Sequence, residues 1–228
     1  MAFNNLRNEY QDIPNLIHQA ALDPHLNNDS LNQICDLAKH FNFSGLCTHP
    51  IRLPQARNSL GKSSQTKLIA VISFPFGSIP ITLKKKEAEW ALDQGAEELD
   101  VSPNFLALSQ GDINLFAEEL SELCQLDLPV RAILDITNLP KQKLSLAVEA
   151  SIEAGVSGLQ SGNGFGPAIS TQQIKELNKL VKGRCAIKAV GGIKTLNHAI
   201  ELIDAGANQI GTSFGSQLMQ ELREFKKE

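Results

Sequence analysis

The chain has no apolar run of the roughly 18 residues that a membrane helix needs, so nothing in it reads as a span. It has no C-x-x-C pair. Cys35, Cys47, Cys124 and Cys185 stand far apart in apolar runs and read as reduced, mostly buried thiols, neither zinc ligands nor a disulfide frame. The five histidines, His18, His25, His40, His49 and His198, are as dispersed; each reads as a surface or packing residue, and no metal constellation is expected. Basic residues are scattered and the net charge is −4, which removes the electrostatic footprint of a nucleic-acid binder. The opening M-A-F-N-N-L-R-N-E-Y lacks the apolar core of a signal peptide, so a cytoplasmic location is expected. No organic-cofactor motif is present.

What remains is a chain of 228 residues, 42% hydrophobic, enough for one domain with a full core. A polar amphipathic stretch over 3–12 predicts a short N-terminal helical extension. After it, short apolar runs alternate with amphipathic ones. The predicted strands are 14–21, 43–47, 67–73, 97–101, 130–135, 156–160, 185–190 and 209–211. The helices between and after them are 30–41, 53–60, 81–94, 112–125, 139–154, 170–182, 195–205 and 216–226, with Trp90 and Phe116 on core-facing stripes. Eight strands, each followed by a helix, predict a parallel sheet covered by helices, and in this length a single closed (β/α)8 TIM barrel over 1–228. Gly95, Gly155 and Gly206 each follow a helix pattern and precede a strand, as a helix-ending glycine would. They support the architecture and say nothing of chemistry.

In such a barrel the working residues lie at the C-terminal ends of strands. Those positions hold Cys47, Ser73, Asp100, Asp135, Gln160, Lys188 and Gly211. The run C-A-I-K-A-V-G-G-I-K-T (185–195) puts one lysine, Lys188, inside an apolar strand and a glycine pair, Gly191 and Gly192, just beyond it. A lysine in a buried strand is costly unless it is paired or used. The loop holding Gly164, the Gly191–Gly192 pair, and the segment Gly211-Thr212-Ser213-Phe214-Gly215 bring bare backbone N–H groups near a helix start. That is the usual phosphate seat of barrel enzymes, and Ser213 adds a hydroxyl. Tight strand-to-helix turns would use the same glycines, but three such loops side by side favour the phosphate seat.

Several segments, in order and spacing, resemble the deoxyribose-phosphate aldolase family over most of the chain. They are L-D-P (22–24), C-T-H-P (47–50), F-P-F-G (74–77), A-L-D-Q-G-A-E-E-L-D-V (91–101), A-L-S-Q-G-D (107–112), I-K-A-V-G-G-I-K-T (187–195) and I-G-T-S-F-G (210–215). The resemblance implies class I aldol cleavage of 2-deoxyribose 5-phosphate to acetaldehyde and glyceraldehyde 3-phosphate. It implies a Schiff-base lysine on strand six, a second lysine on strand seven matched by Lys188, and a proton-carrying aspartate on strand four matched by Asp100. The family's K-T-S-T-G-F segment, however, reads here Gln160-Ser161-Gly162-Asn163-Gly164-Phe165. Gln160 stands at the Schiff-base position, and an amide nitrogen is not nucleophilic. The family's D-H-T on strand one reads His18-Gln19-Ala20, and Phe214 replaces a phosphate-loop serine.

Three expectations follow. Lys188 acts as the nucleophile with Asp100 as proton carrier; or the chain is a non-catalytic relative that binds or senses a sugar phosphate; or Asp100 enolises a carbonyl compound while Gln160 donates a hydrogen bond to its oxygen. The expected partners are a small phosphorylated sugar or aldehyde and a second copy of the chain in a homodimer, with no metal, nucleic acid or membrane. Cys47, Asp135, Gly164, Gly191, Gly192, Gly211 and Ser213 are the expected substrate-binding positions.

Overall fold

The computed structural model of the chain describes residues 12–225; the N-terminal helix expected over 3–12 lies, apart from Asp12, outside them. The eight strands are β1 (Ile17–Ala21), β2 (Gly45–Thr48), β3 (Lys67–Ile72), β4 (Glu98–Val101), β5 (Val130–Ile133), β6 (Gly158–Gln160), β7 (Ala186–Val190) and β8 (Gln209–Thr212). Every neighbouring pair is parallel, and β8 closes on β1, so the sheet is a barrel without edges. The α-helices are α1 (Asn28–His40), α2 (Leu53–Leu60), α3 (Ile81–Asp93), α4 (Phe105–Gln110), α5 (Ile113–Cys124), α6 (Lys141–Glu153), α7 (Thr171–Val181), α8 (Leu196–Asp204) and α9 (Gly215–Phe225). The (β/α)8 architecture read from the sequence is therefore observed.

Local chemistry explains most boundaries. Asn27, Asn104, Asp112, Ser170 and Thr195 each accept a backbone N–H at the start of a helix, and Ser170 with Gln173 forms a reciprocal capping box. Gly95, Gly155 and Gly206 have φ of 85°, 91° and 113° and close the last turns of α3, α6 and α8 before the next strand.

Three expectations are corrected. β1 starts at Ile17, because Pro14 lacks an N–H and sits early in a 3-10 turn over Ile13–Leu16. The short helix α4 precedes α5, nucleated where the Asn104 side chain takes the Ala107 N–H at 3.0 Å. Phe116 is buried as expected, but Trp90 is 41% exposed. On α3 the buried positions are Lys84, Ala88 and Ala91, which leaves Trp90 on the flank of that seam.

Two cores result. The larger, between sheet and helices, is an unbroken cluster of aliphatic side chains with Phe43 and Phe116. The second consists of Cys47, Ile69 and Val71. Those three alternate with Leu46, Leu68 and Ala70 along β2 and β3, residues that belong to the larger core. The period-two pleat thus assigns them to the other face of the sheet, the inside of the barrel.

Candidate active site

Besides Ala20, Ile133 and Val190, which share that face, the inward positions include a set of polar residues. Lys67, Glu98, Arg131, Asp100 and Lys188 form one chain of ion pairs: Lys67 Nζ to Glu98 Oε1 at 2.6 Å, Arg131 Nη1 to Glu98 Oε2 at 2.7 Å, Arg131 Nε to Asp100 Oδ1 at 2.8 Å, and Lys188 Nζ to Asp100 Oδ2 at 2.5 Å. Lys67 is half-exposed; the other four are buried. Burial pushes the Asp100 carboxyl up, yet Arg131 and Lys188 outweigh it and hold Asp100 well below the usual carboxylate range. The Cys47 thiol faces the same carboxylate at 3.4 Å and is pushed up to about 12, first by burial. It is a protonated donor at neutral pH.

Glycines make room for these long side chains. A Cβ on Gly158 would lie 2.9 Å from Arg131 Cγ, and one on Gly211 would lie 2.9 Å from Lys188 Cε and 2.6 Å from Val190 Cγ2. Gly211 was expected as a phosphate-loop residue. It lines the cavity, but its missing side chain is explained by the passage of Lys188.

A cavity of about 580 Å³ opens at the C-terminal ends of the strands. Of the expected site residues, it brings together Lys188, Gln160, Cys47, Gly164, Gly191, Gly192, Gly211 and Ser213. Asp100 is not in its wall; it is fully buried and gripped by Lys188 and Arg131. Asp135 is a correction. It adopts φ 47° after β5, accepts from Thr137 Oγ1 and Asn138 Nδ2, and lines a neighbouring hollow of about 250 Å³ between α4 and the β5–α6 loop. It reaches the mouth only through Asn163, whose Nδ2 donates to it at 3.4 Å. Ser73 likewise stays outside the wall, its N–H donating to Glu87.

Gln160 is the Cα partner of Lys188 across the β6–β7 ladder. Its Nε2 donates to the Gly162 carbonyl at 2.7 Å, and a carbonyl can only accept, which fixes the orientation of the amide. The carboxamide is thus a brace for its own loop. The role of hydrogen-bond donor to a ligand oxygen, expected from the sequence, falls to the second Nε2 proton, since the first is held by Gly162.

The anion-binding reading finds its parts side by side. Gly191 and Gly192 have φ of 129° and 63°, and a Cβ on Gly192 would meet Ala168 Cβ at 2.7 Å, so this turn admits only glycine. Thr212 Oγ1 donates to the Ile193 carbonyl at 2.6 Å and accepts the Phe214 N–H at 2.9 Å, locking the β7 and β8 loops together. α9 begins at Gly215, directly after the wall residues Ser213 and Phe214, and the first N–H groups of a helix have no partner within it.

Sequence reasoning passed over three wall residues. Lys194, in the β7–α8 loop, holds its ammonium 5.4 Å from the Phe214 ring centroid. Phe165 is exposed at the rim and packs on Phe74. His18, expected at the surface or in packing, is 2% exposed and lines the cavity from β1. Its place on the strand matching the family's D-H-T was the available signal; its dispersal from the other histidines hid it.

No family model matches the chain. Curated relatives do: it is 36% identical over 211 residues to the deoxyribose-phosphate aldolase of Microcystis aeruginosa, covering 92% of this chain and 93% of that one. It is 32% identical over 216 residues to that of Thermococcus kodakarensis, covering 92% and 96%. Among solved structures, the aldolase QR15 superposes with a TM-score of 0.88 at 31% identity, over 95% of this chain and 97% of that one. The deoxyribose phosphate aldolase from Aeropyrum pernix, described as a unique tetramer, does so with 0.85 at 28%, over 94% and 91%.

Proposed function

Because the chain belongs to the deoxyribose-phosphate aldolase family, we propose that its barrel mouth binds a small phosphorylated sugar or aldehyde without capturing it as an imine. One observation carries the second half of that reading. The amine nearest position 160 is Lys188, and it is tied to Asp100 at 2.5 Å while the group across the ladder from it is an amide. An imine needs an amine free to attack, and the Lys188 amine is held in contact with a buried carboxylate. The phosphate half is supported by the Gly191–Gly192 turn, the start of α9 and Lys194, which share one wall of the cavity. The ligand is thus anchored by its anion and held over a floor of Lys188, Gln160, Cys47 and His18.

A second reading, retro-aldol cleavage through Lys188, is favoured by the fact that Lys188 lines the cavity. Borohydride reduction in the presence of acetaldehyde separates the two. The expected mass spectrum carries no adduct on Lys188, whereas calorimetry with 2-deoxyribose 5-phosphate gives binding heat. An adduct on Lys188, together with cleavage that disappears in Lys188→Ala, would establish the second reading in place of the first.

A further inference from the structure

Three placements meet at Gly211. His18 on β1 is its Cα partner, Lys188 Cε passes where its Cβ would be, and all three residues line the same cavity. An imidazole and an ammonium therefore stand beside each other on one wall. Among the described residues nothing bonds the buried Nδ1 of His18. Of the two groups that the sequence suggested for enolisation, Asp100, the base, is clamped by two cations out of contact with the cavity, and Gln160 has one of its two amide protons held by Gly162. His18 and Lys188 remain.

We propose that the mouth enolises a small phosphorylated ketone or aldehyde, with His18 as the base and the Lys188 ammonium facing the oxygen that becomes negative. This rests on the ligand reading above and adds an activity to it. The imidazole takes a proton from the carbon next to the carbonyl. The electron pair of that C–H bond becomes the C=C bond of the enediolate, and the carbonyl π pair moves onto oxygen opposite Lys188 Nζ. Returning the proton to the same carbon restores the ligand; exchange of that proton with solvent in between labels it. The step consumes no oxidant, reductant or co-reactant.

The charges around His18 suit the role. Burial first, then Lys188 on β7 and Arg131 on β5, with a smaller push from Lys67 on β3, hold the ring well below its ordinary value against the pull of Asp100 on β4. The ring is neutral at pH 7 and can accept a proton. A depressed base is a weaker one, and the fixed ammonium offsets this by stabilising the oxyanion. Asp100 holds that ammonium in place through their contact, which gives the buried ion chain a positioning role.

The test is deuterium incorporation into dihydroxyacetone phosphate in D2O, followed by proton NMR. Exchange next to the carbonyl is expected at least tenfold above the protein-free rate. His18→Gln and Lys188→Met, purified identically, are expected to fall to that background while still binding inorganic phosphate by calorimetry. Exchange that persists in His18→Gln would mean a contaminating isomerase and overturn the proposal. Wild-type binding of dihydroxyacetone phosphate with no exchange would overturn enolisation and leave the ligand reading intact; no binding of either phosphate compound would remove both. Should His18→Gln fail to fold, the wild-type pH profile decides. The expected rate is flat through the ordinary histidine range near 6.5 and falls only at lower pH; an inflexion at or above 6.5 rules His18 out.

Discussion

The two cores of this barrel obey opposite rules. Between sheet and helices the buried cluster is apolar and runs around the molecule, with the Lys84–Glu119 pair between α3 and α5 as a buried ionic exception. Inside the sheet the apolar cluster shrinks to Cys47, Ile69 and Val71, with Ala20, Ile133 and Val190 on the same face, and buried ions take much of the remaining volume. The outer core needs only shape and hydrophobicity, so it specifies the fold and tolerates conservative change. The inner one depends on each ion having its partner, because a buried charge left alone costs several kcal/mol. Within the inner core there is a second contrast. Toward Lys67 the carboxylates and cations are joined in ion pairs, with Arg131 Nη2 left without a hydrogen-bond partner, whereas at the mouth His18 Nδ1 and Gln160 Oε1 are neutral polar atoms with no partner. The ion chain is the platform, and the mouth is where a ligand can reach unpartnered polar atoms.

Removing the central charge breaks that contrast most severely. Asp100→Asn leaves Lys188 without its counter-ion and weakens the hold on Arg131; a loss of about 3–5 kcal/mol is expected in denaturant unfolding. Conservative truncation in the outer core, Ile→Val, is expected to cost only about 0.5–1.5 kcal/mol. The same carboxylate gives an acid limit. Its folded pKa is depressed, so its contribution is complete above the ordinary aspartate value of about 4 and is lost progressively as pH falls below it. Glu98, also depressed against the effect of its burial by Arg131 and Lys67, acts in the same direction. Wild-type stability should therefore drop steeply below about pH 4, and more shallowly in Asp100→Asn.

The glycines inside the sheet sharpen the comparison at a smaller magnitude. Gly211→Ala places a methyl 2.9 Å from Lys188 Cε and 2.6 Å from Val190 Cγ2. The expected cost is about 1–3 kcal/mol of overpacking. The variant should also lose deuterium exchange before it loses phosphate binding, because the shift falls on the ammonium and leaves the anion seat in place. Equal loss of both would mean that Gly211 serves the anion seat, as the sequence alone suggested.

How far the sequence could be read follows the same division. The outer core is written in local periodicity, and strand and helix order came through to within a few residues, as with α2 at Leu53–Leu60 and β7 at Ala186–Val190. The mouth is written in pairings across strands. Lys188 and Gln160 were legible because each sits at a strand end in a segment resembling a known family. Asp100 was legible as a residue but misplaced as a wall group, since only the structure reveals that Arg131, 31 positions away, draws it into an ion chain. Arg131 itself went unremarked: in V-R-A-I-L it looks like any charged residue in a strand, and its room comes from Gly158 on the next strand. Asp135 was placed in the mouth because the predicted strand 130–135 ends on it, whereas β5 stops at Ile133. A positive φ turns that residue toward its own loop, a local twist that strand-end counting does not capture.

The smallest expected effect concerns Lys194, where the wall meets solvent. Its ammonium is exposed and sits over Phe214, so water and salt screen it far more than they screen Lys188. Lys194→Ala should weaken inorganic phosphate binding about threefold at low ionic strength, in keeping with the modest worth of exposed charge contacts. That difference should vanish at about 1 M salt, where the Debye length falls to about 3 Å. Lys194→Arg keeps the charge and should retain affinity. A loss of tenfold or more, persisting in high salt, would mean that Lys194 closes over the bound anion and becomes buried there, and the boundary between paired interior and open mouth would then lie one loop further out.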